Sequence, residues 1–288
     1  MPFLAFDIGG TKLMAAVGDA DGNVLRSVRR PTPLDLEEGL AALDEMAAEV
    51  LQGERPIAIG ATAGGPLDWQ TGVVSPLHQP WWRDVPLKAR MEAKWQCPFA
   101  VDVDTNVAAL GEYVIGRHTE SRSLYLTLST GMGGGFVVNG EIYRGGFGGA
   151  HPEVAHQAIP FRCKHPERVA CECGAPDCLE ALVSGNGIAR IYGKPAAELD
   201  ADEWAEVGWN LGQGLRNIAT IYAPDLIVIG GGIAHGQGQK LIDAAAGVMR
   251  EHLRIVPAPT VQLSALGYDT ALRGALVLAG RHLEGVTP

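Results

Sequence analysis

The chain has 288 residues, of which 47% are hydrophobic and 19% are charged, and its formal net charge is −10. This composition is typical of a globular protein and excludes a disordered chain. The excess of acidic residues argues against nucleic acid as the main partner. The sequence has no apolar run long enough for a transmembrane helix, and its start, MPFLAFDIGG, does not resemble a secretory signal. We therefore predict a cytoplasmic protein with neither a nucleic-acid nor a membrane partner.

The first part of the chain predicts strands that alternate with helices. Short apolar runs separated by glycine-containing turns are typical of strands joined by tight connections. The predicted strands are residues 3–8, 13–17, 24–28, 57–59 and 99–103. Apolar residues at helical spacing predict helices over residues 36–51, with Gly53 as the stop, and over residues 105–115. The predicted turns and loops are residues 9–10, 21–23 and 60–66.

The second part repeats the order of the first: strand, glycine turn, strand, hairpin turn, strand. The predicted strands are residues 124–128, 136–138, 141–143 and 226–229, with a glycine turn at 129–135 and an Asn-Gly turn at 139–140. Helices are predicted through residues 204–222 and 271–279. This order favours two α/β lobes with a cleft between them. We predict one lobe over residues 1–115, completed by a C-terminal helix at 275–288, and a second lobe over residues 116–274.

Three glycine-rich turns at predicted strand ends indicate a nucleotide-binding cleft. The first has the sequence DIGGTK from Asp7 to Lys12, the second is TGMGG at 130–134 and the third is GGG at 230–232. Glycines let the backbone approach phosphate oxygens, and successive N–H groups form an anion-binding nest. Asp7 can hold Mg²⁺ through water. For the first turn alone, a plain β-hairpin is an equal alternative. None of the turns matches the P-loop or the dinucleotide-binding pattern.

Asp104 directly follows the predicted strand 99–103 and precedes a predicted helix. Ligands of α/β proteins usually bind at the carboxyl ends of strands. A carboxylate there can accept a proton from a substrate hydroxyl as that hydroxyl attacks phosphorus. The alternative is that Asp104, or Thr105, only caps the helix, and the spacing alone slightly favours this capping role.

A cluster of cysteines indicates a metal site rather than disulfides. Cys171, Cys173 and Cys178 form the pattern CxC-x₄-C, and His156 lies upstream of them. Three thiolates and one imidazole form the closed tetrahedral set that is typical of structural zinc. Such a site would clamp a long loop and leave no open position for a nucleophilic water.

The residues around the cysteine cluster leave two alternatives open. Cys163 and His165 are rival ligands for the metal. Glu153 lies three positions before His156, so a helical turn would point both side chains the same way. A metal can thus orient His156 and place Glu153 beside it. Alternatively, Glu153 is a solvated surface charge.

These motifs together resemble the ROK family of sugar kinases, within the actin/hexokinase-like ATPase superfamily. The most specific part is EVAH at 153–156 followed by CECGAPDCLE at 171–180, which resembles the zinc signature of the family. The segment DTNVAALGE at 104–112 resembles the one that carries the catalytic aspartate, and PDLIVIGGG at 224–232 resembles the adenosine-side strand and loop. The resemblance extends over nearly the whole chain, from DIGGTK to residues 274–275.

The resemblance implies two actin-like (ribonuclease H-like) lobes, an interlobe cleft and a zinc-clamped loop. It implies transfer of the γ-phosphoryl group of ATP, with Mg²⁺, to a hexose hydroxyl on C6, most simply that of glucose. Asp104 would be the catalytic base. The implied sugar-binding residues are Gly65, His78, Asp104, Glu153, His156 and Glu180. The implied nucleotide and Mg²⁺ residues are Asp7, Gly9, Gly10, Thr11, Lys12, Thr130, Gly131, Gly133, Gly231 and Gly232. The implied zinc ligands are His156, Cys171, Cys173 and Cys178. A homodimer or homotetramer is also implied.

The chain departs from the usual family residues at positions that affect sugar recognition. Val103 replaces an Asn, His78-Gln79 replaces Asn-Leu, and Pro152 and Ala155 replace glycines. Loss of a buried donor from a site that recognises hydroxyls can change discrimination by several orders of magnitude. Alternative substrates are therefore N-acetylglucosamine, N-acetylmannosamine and fructose. An alternative of another class is a non-catalytic sugar-binding regulator, although we expect no DNA-binding segment ahead of Asp7.

Overall fold

The computed structural model describes residues 1–145 and 151–286, and it divides the chain into two compact units. The first unit contains Met1–His118, Gly140–His151 and Asp269–Pro288, and the second contains Thr119–Asn139 and Pro152–Tyr268. Both units combine helices with β-sheet, which confirms the predicted α/β class. The lobe boundaries predicted near residues 115 and 275 stay a prediction. Residues 287–288 of the predicted closing helix lie outside the described residues.

Strands and helices alternate along much of the chain. The strands are β1 (Phe3–Ile8), β2 (Lys12–Gly18), β3 (Val24–Pro31), β4 (Ile59–Ala63), β5 (Leu67–Asp68), β6 (Val73–Val74), β7 (Val85–Pro86), β8 (Phe99–Val103), β9 (Arg122–Leu128), β10 (Met132–Val138), β11 (Glu141–Ile142), β12 (Leu226–Gly230) and β13 (Thr260–Leu263). The α-helices are α1 (Leu36–Leu51), α2 (Leu87–Trp95), α3 (Asp104–Ile115), α4 (Leu179–Val183), α5 (Gly185–Tyr192), α6 (Ala201–Tyr222), α7 (Gly232–Gln237), α8 (Gln239–Glu251) and α9 (Thr270–Val286). Within the described part of the chain, none of these helices has the length and apolar character needed to cross a membrane.

The main sheet of the first unit has the strand order β3-β2-β1-β4-β8. β1 pairs antiparallel with β2 and parallel with β4, and β4 pairs parallel with β8. The register places Asp7, Thr62 and Asp102 side by side on adjacent strands, so their side chains project from the same face. Because the three parallel strands end at the same edge, Asp104 at the end of β8 lies at the edge reached by the end of β1.

The second unit is built around strands in the order β10-β9-β12-β13. β9 pairs antiparallel with β10, and β12 pairs parallel with both β9 and β13. The core of this unit includes Leu126, Val183, Leu211 and Ile227, all with no exposed surface. The carboxyl ends of β9 and β12 lie together, so the turns that follow these strands are neighbours.

Local sequence signals account for the bounds of α1. Asp35 caps the helix, and its side chain accepts a hydrogen bond from the Glu38 N–H at 3.1 Å, which satisfies one of the free amides of the first turn. The helix ends where Gln52 adopts a left-handed φ of 51°, followed by Gly53 with a φ of 87°. The predicted bounds, residues 36–51, are therefore confirmed.

The predicted loop at residues 60–66 is wrong in its first half, because β4 continues to Ala63. The predicted strand at 57–59 correspondingly begins later, at Ile59. Gly60 is in a strand because α9 lies against it: a Cβ at Gly60 would be 1.8 Å from the carbonyl oxygen of Ala275. This glycine permits close approach of helix and strand backbones, and its presence does not indicate a loop.

The glycine turn predicted at 129–135 is also shorter than expected, because β10 begins at Met132. Gly134 lies inside this strand, where a Cβ would be 2.5 Å from Cγ2 of Val154. The turn itself is residues 129–131, closed by a 2.9 Å hydrogen bond from the Ser129 N–H to the Gly131 carbonyl. The predicted Asn-Gly turn is confirmed in its backbone, since Asn139 and Gly140 have φ values of 53° and 82°.

Candidate active site

The turn between β1 and β2 presents two backbone amides that can bind an anion. The Gly9 N–H donates to the Lys12 carbonyl at 3.0 Å and closes the turn. Gly10 and Thr11 are exposed, and among the described residues their N–H groups have no acceptor. Adjacent amides of this kind form a nest for phosphate oxygens. A Cβ on Gly10 would lie 3.2 Å from Cβ of His78, so glycine lets residues 76–82 pack against the turn.

Asp7, near the end of β1, is a carboxylate in unfavourable electrostatic surroundings. The pKa of Asp7 is raised to about 6: burial raises it most, the charge of Lys12 lowers it, and the carboxylates of Asp104 and Asp269 raise it. The carboxylates of Asp104 and Asp269 therefore lie close enough to affect the charge of Asp7. A bound cation would relieve this repulsion, and oxygen ligands of this kind suit Mg²⁺.

We expect Asp7→Asn to increase the free energy of unfolding of the protein, measured without added Mg²⁺ at pH 7.5, by about 1–3 kcal/mol. The pKa of Asp7 is about 6 in the folded state and 3.8 in the reference state. The ionised carboxylate therefore destabilises the folded protein above pH 6, and this cost shrinks as the pH falls toward 3.8. Urea unfolding at pH 7.5 and 4.5 should show a smaller gain at the lower pH. Asp21→Asn, in an exposed turn, is the control, and an equal gain at both pH values would contradict the prediction.

Asp104 is exposed and is the first residue of α3, immediately after β8. Its Oδ1 accepts the Thr105 N–H at 2.7 Å. Val103 occupies the N-cap position and makes no side-chain hydrogen bond there. The capping position therefore belongs to neither Asp104 nor Thr105. The N-terminus of the helix also favours a negative charge at Asp104.

A buried ion pair next to Asp104 was not anticipated from the sequence. Asp102 is 2% exposed. Its Oδ2 accepts a hydrogen bond from Arg144 Nε at 2.7 Å and forms an ion pair with Arg144 Nη2 at 2.6 Å. Its Oδ1 accepts the Asn106 Nδ2 at 2.9 Å, and the Arg144 guanidinium lies 4.0 Å from the centre of the Trp69 ring. Asp102 thus joins the end of β8, the first turn of α3 and the segment before residue 146.

The predicted sugar-binding residues of the first unit lie close together. The Leu77 N–H donates to the Gly65 carbonyl at 2.9 Å, which places the exposed His78 one residue from this contact. A Cβ on Gly65 would be 4.0 Å from Cγ2 of Val103. His78 also lies against Gly10. The structure therefore brings Gly65, His78 and the position of Val103 to the edge where Asp104 is located.

In the second unit, the turn at residues 129–131 is held by the start of α5. The Gly185 N–H donates to the Ser129 carbonyl at 2.8 Å, and the Asn186 N–H donates to the Thr130 carbonyl at 2.9 Å. Gly131 directly follows Thr130 in this turn. Gly133, predicted to lie in the same turn, is instead in β10.

The third glycine segment lies beside the end of β9. Gly231 has a φ of 94°, and a Cβ there would be 2.4 Å from the Leu128 carbonyl oxygen. Both the left-handed backbone and the close contact require glycine at this position. Gly232 is the first residue of α7. The second and third predicted glycine turns are therefore neighbours, as a shared ligand would require.

Four side chains form a group that can hold a metal ion. The ligand atoms of His156, Cys171, Cys173 and Cys178 all lie within 4.8 Å of one another. Nδ1 of His156 is 3.5 Å from Sγ of both Cys171 and Cys178. A tetrahedral ion with bonds of about 2.3 Å to sulfur and about 2.1 Å to nitrogen would separate such atoms by about 3.6 Å. The donor set and its spacing therefore fit zinc.

The cysteine side chains must lose their protons when they bind a metal. Burial raises the pKa of the Cys178 thiol to about 12, so a metal that binds this thiolate must displace its proton. The rival ligand Cys163 packs instead against the hydrophobic core, and burial raises the pKa of its thiol. Within residues 1–145 and 151–286, the four-residue group includes neither Cys163 nor His165.

Glu180 connects the metal-binding group to the second glycine turn. Its Oε2 lies 3.3 Å from Nδ1 of His156, and its Oε1 accepts the Met132 N–H at 3.3 Å. A Cβ on Gly131 would be 2.9 Å from Oε1 of Glu180, so glycine leaves room for this carboxylate. Glu153 is exposed, and its carbonyl accepts the His156 N–H at 3.0 Å in the 3₁₀ turn Val154–His156.

The sequence matches the ROK family over residues 3–282. The chain belongs to the ROK family. A glucokinase of Streptomyces coelicolor is 29% identical over 316 residues, with 96% of each chain covered. A putative fructokinase of Bacillus subtilis is 33% identical over 238 residues, with 79% of this chain and 76% of that protein covered.

A solved structure supports the same assignment. The ROK family glucokinase of Streptomyces griseus, in complex with glucose and AMPPNP, superposes with a TM-score of 0.80 at 28% identity and covers 98% of this ROK protein and 100% of that chain. The predicted family and its kinase fold are therefore confirmed.

Within each unit, the structure gathers most of the predicted site residues. In the first unit these are the β1–β2 turn, Asp104, Gly65 and His78; in the second they are the metal-binding group, Glu180 and the two glycine segments. Sequence reasoning missed the ion pair of Asp102 and Arg144. The only available signal was weak: Asp102 is an acidic residue inside an otherwise apolar strand.

Proposed function

We propose that this ROK protein transfers the γ-phosphoryl group of ATP to the 6-hydroxyl group of a hexose, with glucose as the expected substrate. The observation that carries the proposal is the placement of an exposed carboxylate, Asp104, at the strand edge that also bears the amides of Gly10 and Thr11, which have no acceptor among the described residues. Such an edge offers a base for a hydroxyl and a nest for phosphate oxygens. Family membership and the glucose and AMPPNP complex of the relative support the assignment.

In the proposed reaction, Asp104 accepts the proton of the sugar hydroxyl as its oxygen forms a bond to the γ-phosphorus. The bond between this phosphorus and the oxygen that bridges it to ADP breaks, so the products are a sugar phosphate and ADP. Phosphoryl transfer depends mainly on positioning and charge stabilisation. The exposed position of Asp104 at the start of α3 leaves its carboxylate accessible to a hydroxyl.

The nucleotide is assigned to the glycine segments. The amides of Gly10 and Thr11, with Gly9 and Lys12 in the same turn, are proposed to hold phosphate oxygens. Bound Mg²⁺ would neutralise phosphate charge, and Asp7 is the residue proposed to hold it. In the second unit, the assigned residues are Thr130, Gly131, Gly133, Gly231 and Gly232, of which Gly133 is the least direct because it lies inside β10.

The sugar is assigned to Gly65, His78 and Asp104 in the first unit and to Glu153, His156 and Glu180 in the second. In this proposal, zinc held by His156 and the three cysteines orients the imidazole and stiffens the loop. Val103 offers no side-chain hydrogen bond to a hydroxyl, so His78, exposed and next to Gly65, is the residue proposed to compensate. This change is the reason to test sugars other than glucose.

A coupled assay of ADP release over a panel of sugars tests the proposed function. The panel contains glucose, fructose, mannose, N-acetylglucosamine and N-acetylmannosamine, each with ATP and Mg²⁺. We expect the highest kcat/KM with glucose. A higher value with fructose or an N-acetylated sugar would keep the kinase assignment and change the substrate. Sugar binding detected by calorimetry without turnover of any sugar would instead support the non-catalytic regulator.

Removal of zinc is expected to weaken sugar binding and stability more than the chemical step. Without zinc, the imidazole of His156 would no longer be oriented toward the sugar. The loss of its one hydrogen bond to the sugar should raise KM for the sugar by about tenfold. Cys171→Ser should lose bound zinc in metal analysis and lower Tm, whereas Cys97→Ser, which lies outside the metal-binding group, should keep its bound zinc. An unchanged KM after complete removal of the metal would show that the role proposed for His156 is wrong.

A further inference from the structure

The carbonyl oxygen of Gly9 accepts hydrogen bonds from two side chains that lie outside the β1–β2 turn. Oγ1 of Thr32 donates at 2.6 Å, and Nε2 of Gln79 donates at 3.3 Å. Thr32 follows β3, whereas Gln79 lies between β6 and β7, so the two donors come from separate segments of the first unit. Gln79 is only 1% exposed, which makes replacement of its donor by water unfavourable.

Both donors are themselves held in place. The Thr32 N–H donates to the Thr11 carbonyl at 3.2 Å, so Thr32 contacts the turn through both backbone and side chain. The Gln79 carbonyl accepts the Trp82 N–H at 2.9 Å and Nη1 of Arg83 at 3.1 Å. The Gly9 carbonyl is therefore bound by anchored groups.

The position of this carbonyl determines the direction of the next amide. The peptide between Gly9 and Gly10 is trans, so its C=O and N–H groups point in opposite directions. Because both flanking residues are glycines, rotation of this peptide plane meets little steric resistance. Donors that hold the carbonyl on one side therefore hold the Gly10 N–H on the other side, where it has no acceptor among the described residues.

The side chain of Gln79 has one feature that a purely structural residue would avoid. Its Oε1 is buried and accepts no hydrogen bond from any residue that the structure describes. A buried acceptor without a partner is destabilising, and an apolar side chain of similar size would remove that cost. The amide therefore contributes its donor to Gly9 at the expense of stability, which is typical of residues that serve a functional site.

We propose that Thr32 and Gln79 are positioning residues that orient the Gly9–Gly10 peptide so that its N–H faces a phosphate group of the nucleotide. The inference rests on the proposed kinase function and extends it to two residues that touch neither substrate. Gln79 adjoins His78, which is assigned to the sugar, so residues 78 and 79 serve the two substrates from one turn.

Matched variants test the roles of the two donors. Thr32→Val removes the hydroxyl but keeps the shape, and Thr32→Ser restores the donor. We expect Thr32→Val to raise the Kd for Mg-AMPPNP, measured by calorimetry, by about 3- to 10-fold, and to raise KM for ATP more than it lowers kcat. Thr32→Ser should remain within about twofold of the wild type, and the Kd for glucose should be unchanged in both variants.

Gln79→Leu separates positioning from simple support of the fold. We expect weaker binding of Mg-AMPPNP together with an unchanged or higher Tm, because the variant removes a buried oxygen, Oε1, that has no donor within the described part of the chain. A residue that only stabilised the fold would instead lower Tm and weaken glucose and nucleotide binding alike, and that result would overturn the inference.

A second result would also overturn the inference: both Thr32→Val and Gln79→Leu bind the nucleotide as tightly as the wild type. That result would leave the kinase assignment intact. A wild-type protein that neither binds Mg-AMPPNP nor phosphorylates any sugar would overturn the kinase assignment, and the inference with it. The wild-type assays therefore distinguish the two failures.

Discussion

Replacement of Asp104 by asparagine is expected to lower kcat for the preferred sugar by about 10²- to 10⁴-fold, the usual contribution of a general base. The amide of Asp104→Asn cannot accept the hydroxyl proton at neutral pH, although it keeps the size of the side chain. Asp104 is exposed at the start of α3, so we expect little change in Tm. Steady-state kinetics with saturating ATP would measure the effect on kcat, and calorimetry would show whether Mg-AMPPNP still binds.

Asp21→Asn is the matched control for this variant, because Asp21 is an exposed aspartate of the first unit in a turn with no assigned role. It should have wild-type kcat and KM. If Asp104→Asn retained a kcat within a few-fold of the wild type, Asp104 would not be the base. A loss of both activity and Tm would indicate instead that the carboxylate mainly supports the first turn of α3.

A second large effect is expected from breaking the buried ion pair of Asp102 and Arg144. Arg144→Met should lower the free energy of unfolding by about 3–5 kcal/mol, because it leaves the Asp102 carboxylate buried without its cation. The expected loss also includes the contact of the guanidinium with Trp69. Chemical denaturation at pH 7.5, followed by circular dichroism, measures the change.

The control is an exposed ion pair of the same unit, Arg281 with Glu141, whose side chains are 41% and 78% exposed. Arg281→Met should change stability by less than about 1 kcal/mol. The double variant Asp102→Asn with Arg144→Met should recover part of the loss, because no buried charge remains. Similar losses for Arg144→Met and Arg281→Met would mean that the Asp102 carboxylate is better solvated than its burial indicates.

Several features of the fold were predictable because they depend on neighbouring residues. The apolar run of β1, the capped α1 and the Asn139-Gly140 turn are each determined within a few positions of sequence. The metal-binding group was predictable for a similar reason. Three of its ligands lie within residues 171–178, and thiolates at such spacing are typical of structural zinc sites.

The features that were missed depend on contacts between distant segments. Gly60 and Gly134 were assigned to turns because glycine favours turns, but each lies in a strand against a residue remote in sequence. The ion pair of Asp102 and Arg144 and the bond from Gln79 to Gly9 likewise join positions with no shared local pattern. Side-chain chemistry indicated which residues are reactive, but only the packed chain shows which residues hold them.

The contact of α9 with β4 has a consequence for biosynthesis. The backbone of α9 lies so close to β4 that Gly60 has no room for a Cβ beneath Ala275. Residues 1–118 leave the ribosome before the whole second unit, and α9 leaves after it. At about 5–20 residues per second, α9 is synthesised on the order of ten seconds after the sheet of the first unit that it covers. The second unit can therefore complete its core first, although the first unit begins the chain.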